Sequence, residues 1–136
     1  MTVSKRVLVP DEKGRGFARA VEAGPFILVA GMTGQWDLET WKPLPGIAGD
    51  IERQTEQIFG WLKKVLDQVG ADFSHVVKAN VYLKRIEDLP RVGNVRRKYL
   101  PDAGFVGTAI AISGVIGDAD LEIEFELLNP RWPSAP

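Results

Sequence analysis

A chain of 136 residues with 45% hydrophobic and 26% charged side chains has the makings of a single domain, residues 1–136, that buries about two-thirds of its unfolded surface. Its 17 Lys and Arg against 18 Asp and Glu supply no electrostatic footprint for nucleic acid, and the absence of a membrane-length apolar run or a signal-peptide pattern in MTVSKRVLVP leads us to expect a soluble, cytoplasmic protein. With no cysteine and only His75, disulfides, thiol nucleophiles and multi-His metal sites are excluded.

In chain order, residues 4–9 predict a short strand and residues 11–16 a charged loop. Residues 17–23 alternate, with Phe17, Arg19 and Val21 opposite Ala18, Ala20 and Glu22, and Gly24-Pro25 turns the chain into the apolar run 26–30. Residues 31–49 are punctuated by Gly and Pro and hold Trp36 and Trp41. A loop of that length in a compact domain is more often functional or interfacial than idle. Asp50 then caps a helix on which Ile51, Thr55, Ile58, Leu62, Leu66 and Val69 recur at helical spacing, and Gly70 ends it. Residues 76–83 alternate as a strand. Asp88 is expected to cap a second helix carrying Leu89, Val92, Val95 and Tyr99, which Pro101 stops.

Two further alternating runs, 106–113 and 121–128, flank a Gly/Asp turn and are expected to pair as a hairpin. The Pro-rich tail, 129–136, is expected to fray. The order β-β-β-α-β-α-β-β describes an α+β domain whose two helices cover one face of a single sheet. On the other face this pattern places Lys78, Asn80, Tyr82, Gly107, Ala109, Ala111, Glu122, Glu124 and Glu126. That face is too apolar for solvent and too charged for a sealed core. A symmetric oligomer packing these faces together meets both constraints.

The runs GFARAVEAGPFILVAGMTG (16–34) and VLDQVGADFSHVVKANVYLKRIEDLPRVGNVRRKYL, with the closing LEIEFELL, resemble the Rid/YjgF family, also labelled the L-PSP endoribonuclease family. The resemblance covers roughly nine-tenths of the chain, although no one of these motifs is distinctive alone. It implies a chorismate-mutase-like fold assembled as a homotrimer with three clefts between subunits. Its best-known branch hydrolyses small-molecule imines and enamines, such as 2-aminoacrylate, to ketoacids and ammonia, and no metal or organic cofactor is implied.

Residue by residue, the resemblance puts the family's catalytic carboxylate at Glu122, where it positions the attacking water. It puts the cleft asparagine at Asn94 and the cleft glycine at Gly31, with Ala30 and Met32 where the family has Ser and Gln. The family's cleft tyrosine becomes Phe17, and its P-x-R-[ST] element becomes Phe105-Val106-Gly107-Thr108. The arginine lost at Gly107 is the family's clamp on the substrate carboxylate. Leaving that carboxylate desolvated and unpaired costs about 2–5 kcal/mol, so amino-acid-derived 2-imino acids are expected to be poor substrates unless Arg15, Arg19, Arg96 or Arg97 substitutes.

Plainer readings stand beside these. The three strand glutamates also fit as cross-strand partners of Lys78 and Lys84, His75 fits a structural role, and Asn94 fits a local backbone bond. The functional alternatives are a hydrolase with Glu122 orienting water and backbone N–H groups at Gly31 and Gly107–Thr108 holding developing charge, and a non-catalytic ligand-binding or protein-stabilising trimer. An endoribonuclease is the weakest alternative, since charge balance and the isolated His75 give it no support. Light scattering is expected to return three times the 15.0 kDa of the chain; a monomer would undo the assignment of a subunit-packing face.

Overall fold

The computed structural model describes residues 5–133. Three strands, β1 (Arg6–Pro10), β2 (Ala18–Ala23) and β3 (Phe26–Met32), form an antiparallel meander. Helix α1 (Ile51–Val69) follows, then β4 (Val76–Leu83), α2 (Leu89–Tyr99), β5 (Ala109–Ala111) and β6 (Leu121–Leu128). The six strands make one sheet in the order β1-β2-β3-β6-β4-β5. Ser4, expected to open the first strand, lies outside the described residues.

Helix α1 follows its sequence signals closely. The Asp50 carboxylate accepts from the Arg53 N–H at 3.2 Å, and Gly70 takes the left-handed φ of 75° that closes the helix. Its apolar stripe packs on the sheet: Phe59 meets Phe125 edge-on at 5.6 Å and stacks on Tyr99 of α2 at 4.7 Å. Both helices therefore share one face of the sheet. The other helix begins differently from expectation. Residues Ile86–Asp88 already wind as a 3-10 turn into α2, so Asp88 has helical backbone and cannot cap; it lies 3.5 Å from Arg91 instead.

The expected hairpin between 106–113 and 121–128 does not form. Strand β6 pairs antiparallel with β3 on one side and with β4 on the other, so it has no free edge for β5. Strand β5 pairs parallel with the far edge of β4, and α2 is the crossover that a parallel pair requires. This also reverses a facing expectation. Ala109 and Ala111 stand beside the buried Val81 and Leu83, and Gly107 lines a helix-side cavity with Ala79 and Val92. The small residues of this segment thus face α2, and the open face receives Val106 and Ile110 beside Lys78 and Tyr82.

The long loop also differs from expectation. β3 runs on to Met32, and Trp41 packs edge-on against Trp61 of its own α1 at 5.0 Å. The segment expected to fray starts with an anchor: Asn129 is buried and donates to Glu22 Oε1 at 2.8 Å and to the Gly24 carbonyl at 3.0 Å. Residues 134–136 lie outside the described residues. Among the described residues no helix is long and apolar enough to cross a membrane.

One buried polar lock sets the start of β6. Gln54, fully buried on α1, donates to Asp120 Oδ2 at 2.6 Å and to the Ile47 carbonyl at 2.9 Å, and accepts from the Asp120 N–H at 2.9 Å. The Asp120 carboxylate also accepts from the Gly49 N–H at 2.7 Å. Gln54→Ala leaves several of these groups buried and unpartnered, and is expected to remove about 2–4 kcal/mol in urea unfolding; Asp120→Asn, which keeps the shape, is expected to cost about half as much.

Candidate functional site

The alternation of β6 sends Leu121, Ile123, Phe125 and Leu127 into the core and Glu122, Glu124 and Glu126 to the open face, where each is half-buried. Cross-strand register places Glu122 opposite Tyr82, Glu124 opposite Asn80 and Glu126 opposite Lys78. The pairing of Glu124 and Glu126 with Lys78 and Lys84 is thus realised in register only for Glu126. Glu124 Oε1 instead accepts from Tyr82 Oη at 2.5 Å and from Asn80 Nδ2 at 3.1 Å. Asn80 Oδ1 in turn accepts from the Thr108 N–H at 3.0 Å. That N–H, expected to hold developing charge, is therefore already engaged. The bond to Glu124, with burial and the nearby carboxylates, raises the Tyr82 pKa, so this phenol remains a donor.

Glu122 has no ion-pair partner among the described residues. Its carboxylate presses against Gly31, where a Cβ would lie only 2.3 Å from Oε1. The bare glycine is thus what allows the carboxylate its position. Burial raises the Glu122 pKa first and the Glu124 charge adds to it, while Arg19 works the other way. A carboxyl group poised above its usual range is suited to exchange protons with water or substrate.

Arg19, named from the sequence only as a possible substitute for the missing clamp, stands in a place the sequence did not indicate. It is buried, its guanidinium lies 4.1 Å from the Trp61 ring centre, and Nη2 donates to the Gly31 carbonyl at 3.2 Å, while Nε has no partner. Burial lowers its pKa, and the carboxylates of Glu12, Asp11 and Glu122 oppose that shift. The available signal was a charge between Ala18 and Ala20 in an alternating strand, beside aromatic Phe17. Phe17 is half-exposed, with the Arg15 and Arg19 guanidiniums 5.1 and 5.8 Å from its ring centre.

The structure therefore gathers Glu122, Gly31 and Arg19 directly, joins Phe17 through Arg19, and links Thr108 through Asn80 to Glu124. It does not bring in Asn94, which is exposed and accepts from Arg97 at 3.2 Å, while the adjoining Gly93 lines a cavity. It also leaves Gly107 apart, on the helix side of the sheet. A Cβ there would lie 1.9 Å from the Ala79 carbonyl oxygen, so this backbone has no room for an arginine. His75 completes a capping box with Asp72, a structural role. Among the described residues no group of three His, Asp or Glu is placed to hold a metal ion.

Comparison with known proteins gives a consistent picture. The family described as Endoribonuclease L-PSP matches residues 12–126. A RutC family protein of Pyrococcus abyssi is 32% identical over 108 residues, covering 79% of this chain and 82% of its own. The chloroplastic Reactive Intermediate Deaminase A of Arabidopsis thaliana is 27% identical, covering 88% of this chain and 64% of that one. Among solved structures, a member of the YjgF/YER057c/UK114 family from Mycobacterium tuberculosis superposes with a TM-score of 0.74 at 26% identity, covering 92% of this chain and 99% of the other.

Two expectations follow from this geometry. Because its native carboxyl pKa is raised, Glu122 lowers stability as pH climbs from the unfolded carboxyl value through the native one. Glu122→Gln should therefore raise Tm relative to wild type at pH 7 and lose that advantage at pH 4, as read by calorimetry. Gly107→Ala, forced against backbone, should cost about 1–3 kcal/mol, whereas Gly31→Ala, meeting a movable side chain, should cost less and displace Glu122.

Proposed function

The chain belongs to the L-PSP endoribonuclease family, the Rid/YjgF family, and on that premise we propose that it hydrolyses the C–N bond of a small imine or enamine in clefts between the subunits of a homotrimer. The observation that carries the reading is the half-buried Glu122 carboxylate, without an ion-pair partner among the described residues, seated against the bare backbone of Gly31. The deaminase name borne by the Arabidopsis relative is consistent with it.

The chemistry needs one proton shuttle. Glu122 takes a proton from water as the water oxygen adds to the imine carbon, then returns it to nitrogen. Glu122 then carries the carbinolamine's hydroxyl proton to nitrogen, ammonia leaves as the C–N bond breaks, and a carbonyl remains. An enamine first takes a proton at carbon and gives one up from nitrogen to become the imine. Arg19 supports Glu122 by holding the Gly31 carbonyl and by favouring the ionised carboxylate.

The open face supports this assembly. Val7, Phe26, Leu28, Val106, Ile110 and Leu128, between 42% and 66% exposed, flank the half-buried glutamates, an arrangement that a neighbouring subunit would cover. Glu122 and Gly107 stand on opposite sides of the sheet within one chain, so a cleft uniting them needs a second subunit. With glycine where the family clamp stands, short 2-imino acids lose their carboxylate partner. The favoured substrates carry no charge beside the C=N bond.

The test is ammonia release from enzymatically generated 2-aminoacrylate and from decarboxylated enamine analogues. Wild type is expected to prefer the uncharged analogues, and Glu122→Ala to lower kcat/KM by about 10²–10⁴. Turnover unchanged in Glu122→Ala would exclude this mechanism. Inert wild type on all substrates would favour a binding trimer.

A further inference from the structure

A cavity of about 490 Å³ lies between α2 and the β4–β5 edge, with Val81, Val92, Phe105 and Ala109 among its walls. That volume suits a small organic ligand. Two cations, Arg96 and Arg97, also line it, and their situation differs from that of their helix neighbours. Arg91 and Lys98 of the same helix pair with Glu52 and Glu56 of α1. No carboxylate among the described residues forms an ion pair with Arg96 or Arg97. Arg97 is held by Asn94. Arg96 lies over the Phe105 ring, 5.3 Å from its centre, and its Nε is buried with no hydrogen-bond partner.

A buried guanidinium N–H without an acceptor is costly, and it sits here beside an apolar cavity that a planar group can enter. We propose that this cavity binds a small apolar carboxylic acid, with Arg96 as the clamp on the carboxylate and Phe105 as the surface on which the ligand body packs. Glycine at position 107 keeps the strand wall bare, so the anion is gripped from the helix wall and lies apart from groups bound at that strand. This deepens the hydrolase reading and rests on it for one point only, that the bound acid is a substrate or product. The substrate class is then an imine or enamine whose carboxylate is separated from the C=N carbon by an apolar spacer.

The probes are 3-phenylpropanoate, its neutral amide and inorganic phosphate, titrated calorimetrically into the full chain. Wild type is expected to bind the acid about tenfold or more tightly than the amide. Arg96→Gln should erase that preference while still binding the amide, which reports an intact cavity, and Arg96→Lys should restore part of it. Equal binding of acid and amide by wild type, no binding of either, or a preference that survives in Arg96→Gln overturns the proposal, as does displacement of the acid by equimolar phosphate. Ammonia release dependent on Glu122 but indifferent to a distal carboxylate removes this inference and leaves the hydrolase reading. Arg96-dependent acid binding without turnover of any imine removes the hydrolase reading and leaves the site.

Discussion

Strand β6 is paired along both edges, to β3 and to β4, and that double pairing governs where the other groups can stand. A strand with ladders on both sides cannot slip by one residue without turning its apolar set outward. Leu121, Ile123, Phe125 and Leu127 therefore hold Glu122, Glu124 and Glu126 on the open face. The Gln54–Asp120 lock adds a polar constraint at the start of the strand, tying its register to α1 and to the loop around Gly49.

From that constraint follows the division of the two faces. With β6 saturated, β5 takes the outer edge of β4 and turns its small residues toward α2. Bulk at Gly107 is forbidden by the Ala79 carbonyl, which leaves a cavity on the helix side. The open face keeps the carboxylates, the Tyr82–Glu124–Asn80 network and a set of exposed apolar side chains. One face is thus covered by the chain's own two helices, and the other stays open.

Two groups at the candidate chemistry are poorly compensated. Arg19 is buried with an unpartnered Nε, and Glu122 is desolvated with Glu124 close by. Each works against stability, and the core around Phe59, Phe125 and Leu127 offsets them. Buried groups without a partner, such as Arg19 Nε at this site and Arg96 Nε at the helix-side cavity, are where function is expected to override stability.

Local pattern alone was enough for the element order, for α1 with both of its ends, and for the inward and outward faces of β6, because periodicity and caps act within a few residues. The family resemblance pointed to Glu122 and Gly31, and the structure brings them into contact. The sequence did not disclose that 106–113 and 121–128 part company, since pairing is decided by which edges remain free once β3 and β4 have claimed β6. It did not disclose that Arg19 lies buried under Trp61, or that Asn94 turns to solvent while Gly93 faces the cavity, because a helix rotates its face by 100° per residue. Those placements depend on contacts between residues far apart in the chain, such as Gln54 with Asp120 and Thr108 with Asn80, and only the packed tertiary structure brings them within bonding distance.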